Sequence, residues 1–171
     1  MINEDVDNIS WPAFLIDLDL AIKERRNLAS GAIGKTGTRA FMAIGLLLGE
    51  KHSFWHDLES FFWVVFWICI HYDGPGKNTG PTDFDKWNYL GDRALANSKR
   101  GIVAISKDFN DVMDQNFTPY YRPLMPCLGQ LRRVVFPGGA WREKGNWDLY
   151  QQIKDILHRA AEDPVVQGVK S

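Results

Sequence analysis

The stretch Leu15–Ala21, LIDLDLA, threads two carboxylates through residues that otherwise belong in a core. Alternation of apolar and polar residues predicts a strand with one buried face. On such a strand Asp17 and Asp19 point the same way, roughly 7 Å apart, because side chains repeat every second residue. Two carboxylates on one face can hold a divalent cation, and oxygen ligands suit magnesium. A merely solvated strand face fits the same pattern, and these residues alone leave both readings open.

Other groups with chemical potential carry less. His52 and His56 have the spacing of a zinc-binding pair on a helix, but HSFWH lacks the glutamate of HExxH. The run GPGKNTG at 74–80 does not satisfy GxxxxGK[ST], and no strand is predicted before it. Ser, His and Asp all occur, yet no GxSxG or similar arrangement supports a hydrolase.

A chain of 171 residues suits one domain with a sizeable core. Apolar residues at 45%, aromatics at 13% and seven Trp mark it as globular rather than disordered. Twenty basic and 21 acidic residues leave a net charge of −1, which removes any general electrostatic case for nucleic acid or an anionic membrane. Cys69 and Cys127 make neither a disulfide framework nor a zinc site. The N-terminal MINEDVDN is acidic and polar, unlike a signal peptide, so an intracellular setting is expected.

These residues must be positioned by a mainly α fold with a short β element near its start. Pro12 precedes the expected strand at 13–18. Residues 22–50, with Gly at 31, 34, 37, 45 and 49, read as one long loop. The longest apolar run, FFWVVFWICI at 61–70, is shorter than the about 20 residues a bilayer requires. Apolar on every side, it predicts a central buried helix over 54–71 with Ser53 as N-cap and Val65 in the core. Residues 73–82 read as turns. Helices are then expected from Asp83 to a break near Gly101, around Ile105–Met113, and over PCLGQLRRVVF up to Pro137. A last amphipathic helix, capped by Asn146, carries Leu149, Ile153, Ile156 and Leu157 on one face.

Three motifs stand in order: LIDLDLA, then GTRAFMAIG at 37–45, then HDLESFFWVV at 56–65. Together they resemble the second half of a protein kinase, and most closely the fungal-type protein kinases. The resemblance implies a partial kinase domain over 1–171, of the C-lobe type. Residues 1–21 would be its metal-binding strand, 22–50 its activation segment and 53–171 its helical lobe. Asp17 matches the DFG aspartate, which holds the magnesium bridging the ATP phosphates. Asp19 is the second candidate metal contact. Gly37 and Thr38 match the Gly-Thr pair at the substrate-docking end of the activation segment. Asp57 matches the structural aspartate of the central helix, which in kinases accepts hydrogen bonds from the catalytic loop. Gly45 stands where kinases carry the glutamate of APE, so the segment is expected to be loose and 22–50 to be the most mobile part of the chain.

The family activity is ATP-dependent phosphorylation of protein serine or threonine, with Mg and ATP. The Gly-rich loop, strand lysine and HRD-type loop this requires are not among the 171 residues. VAISK at 103–107 has the letters of the lysine motif in the wrong place. The resemblance implies a chain that starts just after the catalytic loop, holds no catalytic residue and is inactive alone, with no tight binding of either cofactor. The expected partners are a protein substrate, a kinase N-terminal portion or a second copy. The alternative is a non-catalytic helical interaction module or pseudokinase-type regulator.

Overall fold

The computed structural model describes residues 38–142, 144 and 147–168. The expected strand at 13–18, Gly37 and the Asn146 cap lie outside the described residues. Within them the protein is helical, with one isolated bridge between Tyr72 and Asn78 and no strand. A 3-10 turn at Arg39–Phe41 leads into α1 (Ile44–Leu47) and the long α2 (Phe54–His71). A second 3-10 turn at Asp83–Asn88 precedes α3 (Asp92–Ala104), α4 (Ser106–Asn116), α5 (Met125–Val135), α6 (Asp148–Glu162) and the short α7 (Pro164–Gly168). No helix among the described residues is long and apolar enough to cross a membrane.

Helix α2 forms the centre because no solvated arrangement suits its aromatic run. Phe62, Trp63 and Phe66 are buried and meet Phe84, Trp87, Phe109, Phe117 and Phe136 from four other segments. Ring pairs pack edge-to-face, as between Trp63 and Trp87 at 5.4 Å and between Phe62 and Phe136 at 5.1 Å, the favoured geometry for aromatic quadrupoles. Helix α5 packs on α2, α4 and α6, and α3 packs on α1 and α4. Leu149, Ile153 and Ile156 supply the buried stripe of α6, as their spacing predicts.

Two expectations need correction here. Helix α2 is not buried all round: Asp57, Phe61 and Ile68 are exposed and Val65 is only partly covered. The core lies on one side, so the 3.6-residue period sorts even an all-apolar run into an inner and an outer face. The helix expected from Asp83 to Gly101 is divided at Tyr89–Gly91, and α3 runs through Gly101 to Ala104. Gly101 is exposed there, and a solvent-facing glycine costs a helix only about 1 kcal/mol, too little to break it.

The turns at either side were legible as turns. Residues 73–80 fold back through Asp73 N–H to Lys77 O at 2.8 Å and Lys77 N–H to Gly74 O at 3.1 Å. After α5, Gly139 has φ +80° and its Cα lies so close to Ala104 O that a Cβ would overlap it. Buried Arg132 ties the same corner, donating from Nε to Val103 O at 2.8 Å and from Nη1 to Ser106 Oγ at 2.8 Å. It closes the α3–α4 junction from α5.

Phe66 is fully buried and meets six other aromatic rings. Phe66→Ala is expected to lower stability by about 3–5 kcal/mol, whereas Val65→Ala should cost clearly less. Urea unfolding followed by tryptophan fluorescence checks both; equal losses would place Val65 in the core after all.

Candidate functional site

Residues 38–50 follow an irregular path over α2 and α3, interrupted by the 39–41 turn and α1. They were expected to be loose. Instead Ala40, Ala43 and Ile44 are fully buried and Met42 and Leu47 nearly so. A path without a regular ladder leaves backbone donors and acceptors to satisfy, and in a buried place each must find a partner.

Side chains from the helical body provide those partners. Glu59, buried on α2, accepts from Ile44 N–H at 2.7 Å and from Trp63 Nε1–H at 3.0 Å through the same oxygen. It thereby caps α1, whose own N-cap Ala43 offers no side-chain acceptor. Lys99, fully buried on α3, donates from Nζ to Met42 O at 2.6 Å. Its ammonium lies 4.6 Å from the Trp63 ring centre and 5.3 Å from that of Trp87, within cation–π range. Arg39 anchors the start of the segment through Leu90 O and Asp92 Oδ1, both at 2.6 Å.

The end of the segment is tied by Glu50. Its Oε1 accepts from Trp141 Nε1–H at 2.8 Å and its Oε2 faces His56 Nε2 at 3.1 Å. Glu50 N–H returns to Gly45 O at 2.9 Å, so the carboxylate folds back over Gly45. A Cβ at position 45 would overlap Glu50 Oε2 and fall 2.6 Å from His56 Nε2. A side chain at 45 would therefore have to displace the ends of the Glu50 and His56 side chains. The end of the described segment is tied down through Glu50.

The environment of the inner pair shifts both groups toward neutrality. Burial pushes the Glu59 carboxyl up from its ordinary range, opposed by its hydrogen bonds from Trp63 and Ile44 and by the charge of Lys99. Burial brings Lys99 down to about 7, with the charge of Glu59 opposing.

The residues singled out from the sequence sit apart from this inner set. Asp17, Asp19 and Gly37 lie outside the described residues. Thr38 is exposed and gives its carbonyl to Phe41 N–H at 2.9 Å. Asp57 lies exposed in the first turn of α2 and pairs with His52 Nε2 at 2.7 Å. His52 and His56 thus each bind a different carboxylate. Among the described residues no group of three His, Cys, Asp or Glu could hold a metal ion.

Glu59, Lys99 and Glu50 were missed in the sequence. Lys99 left a signal, since it falls on the apolar register Leu95–Lys99–Val103 of an otherwise amphipathic helix. Glu59 lies four residues before Trp63, inside the apolar run. Glu50, held by contacts 6 and 91 residues away, left none.

Residues 1–69 match the family model of the fungal protein kinases. No curated protein and no solved structure matches the chain. The match spans all three motifs, so the resemblance to fungal-type protein kinases holds over that stretch. Its described part comprises the 38–50 segment and α2 as far as Cys69.

The Lys99 environment has a pH signature. The unfolded chain loses this proton near 10.5 and the folded one near 7, so between them the unfolded state holds more protons and stability rises with pH. Cys69 and Cys127, both raised by burial, act in the opposite direction above 9. Denaturant unfolding between about pH 7.5 and pH 9 should therefore show stability climbing by up to about 1.4 kcal/mol per pH unit, with a flatter line for Lys99→Met. Parallel lines would mean that Lys99 keeps its ordinary affinity for the proton.

Proposed function

We propose that the chain forms the helical lower half of a fungal-type protein kinase domain, with residues 37–44 as the protein-docking end of its activation segment. The family match over residues 1–69 carries this reading. The buried anchoring of 39–50 on α2 and α3 supports it, because a docking segment must be held in one shape to select a protein substrate.

Asp17 and Asp19 are the residues that would hold magnesium, and as carboxylates they are the right donor class for that ion. Bound there, the metal would neutralise and orient ATP phosphates. Gly37 and Thr38 would belong to the docking end, and exposed Asp57 to the face of α2 that receives the catalytic loop. Phosphoryl transfer needs metals, lysine and base positioned together. The 171 residues contain neither the lysine nor the base motif, so this polypeptide alone is not expected to transfer phosphate or to hold MgATP tightly.

A second reading is favoured by one observation. Phe61 is 42% and Ile68 37% exposed on one side of α2, and the net charge is close to zero. An apolar stripe with little repulsion suits an intracellular interaction module that binds a kinase N-terminal portion or a second copy.

Calorimetry with MgATP should give no specific heat for the chain alone. Mixing it with a polypeptide carrying the Gly-rich loop, strand lysine and HRD-type loop of a fungal-type kinase should yield transfer of labelled phosphate to protein serine or threonine. Asp17→Asn should abolish that transfer. Binding of MgATP by the chain alone would overturn its inactivity, and transfer indifferent to Asp17 would overturn the kinase reading. Self-association is read by sedimentation: a monomer at about 100 μM that binds no hydrophobic dye removes the second reading.

A further inference from the structure

The junction of Glu50, His56 and Trp141 contains a titratable ring with no spare valence. His56 is 1% exposed and lies in the first turn of α2. Its Nδ1 accepts the N–H of Ser53 at 3.1 Å, the N-cap of that helix. A backbone N–H can only donate, so the proton of the neutral ring sits on Nε2 and points to Glu50 Oε2. One ring thus ties the helix cap to the carboxylate that folds over Gly45.

We propose that His56 is a proton-operated latch: the neutral ring fastens residues 44–50 to the N-terminus of α2, and a second proton releases them. The proposal stands on this geometry and is independent of any kinase activity. A proton on Nδ1 would face the Ser53 N–H, donor against donor, and the cap bond is lost. A charged ring also has to be hydrated, which withdraws it from the slot over Gly45. Glu50 then keeps only Trp141 from the clasp.

The surrounding charges set the direction. Glu50 on the segment and Asp57 on α2 favour the charged ring; His52, stacked at 6.3 Å, opposes it. Arg100 of α3 lies over Trp141 at 4.8 Å, and Lys51 lines the same open cleft as Glu50 and His52. Burial outweighs these and holds His56 below its ordinary 6.5. The unfolded chain therefore gains this proton before the folded one, and stability supplied by the closed latch is present above 6.5 and lost as pH falls below it.

Amide exchange on the 171-residue chain tests the latch. Between about pH 8 and about pH 5.5, after correction for intrinsic rates, protection of the Leu48, Gly49, Glu50 and His56 amides should fall severalfold, up to about tenfold, with α5 and α6 unchanged. His56→Gln, whose amide can accept from Ser53 and donate to Glu50 without titrating, should keep protection throughout. Unchanged protection in the wild type, or equal loss in His56→Gln, overturns the proposal. Should the variant not fold, imidazole nitrogen shifts of the wild type decide. An Nε2–H tautomer that charges below 6.5 together with the loss of protection supports the latch. An Nδ1–H tautomer, or a midpoint above that value, refutes it.

Discussion

The structure depends on satisfying the backbone of residues 39–50 inside the protein. The segment has enough apolar side chains to be buried and too little regular structure to pair its own polar atoms. Leaving one buried backbone group unpaired costs about 1–3 kcal/mol, comparable to what burying a single methyl-bearing side chain contributes. Long ionisable side chains solve the problem because they reach from neighbouring helices. Lys99 supplies Met42 O, Glu59 supplies Ile44 N–H, and Glu50 brings the end of the segment back to α2 and Trp141.

That solution places two ionisable groups within an aromatic cluster, where charge is costly. Both respond by moving toward their neutral forms, and the Trp63 and Trp87 faces give Lys99 an attractive surface where water is absent. Apolar residues of similar volume would avoid the desolvation and can be as stable as a buried ion pair. They could not bond Met42 O or Ile44 N–H. What Glu59 and Lys99 secure is the position of one segment, since few other conformations offer both bonds at once.

Much of this was readable from pattern. The apolar run located α2, helical spacing of apolar residues located α4, α5 and α6, and the Gly-rich stretches marked the turns at 73–80 and 137–139. Local signals misled where tertiary packing overrode them. Gly101 looked like a helix end but lies exposed inside α3, and the loop reading of 38–50 followed glycine content rather than the burial of Ala40, Ala43 and Ile44. The candidate site divided in the same way. Short motifs named Thr38 and Asp57; Glu59 lies in the same motif as Asp57 without being singled out, while Glu50 and Lys99 belong to no motif and hold partners as far as 91 and 57 residues away. Asp57 meets His52, five residues earlier, a local partner that the motif did not indicate.

The family match and part of the anchoring come from different parts of the chain. Residues 39–50 and α2 lie largely within residues 1–69, whereas Leu90, Lys99 and Trp141, which hold residues 39–50, lie beyond them. The later helices therefore act on the segment directly rather than only completing a core. Position 45 shows the consequence. A glutamate there would enter the space that the Glu50 carboxylate and the His56 ring occupy, so one of them would have to move. Glycine at 45 and glutamate at 50 are one structural choice, in which the anchor approaches from the far side of α1 and is read by an imidazole and an indole. Unlike a permanently charged guanidinium, the imidazole can change its protonation, which makes this anchor responsive to acid.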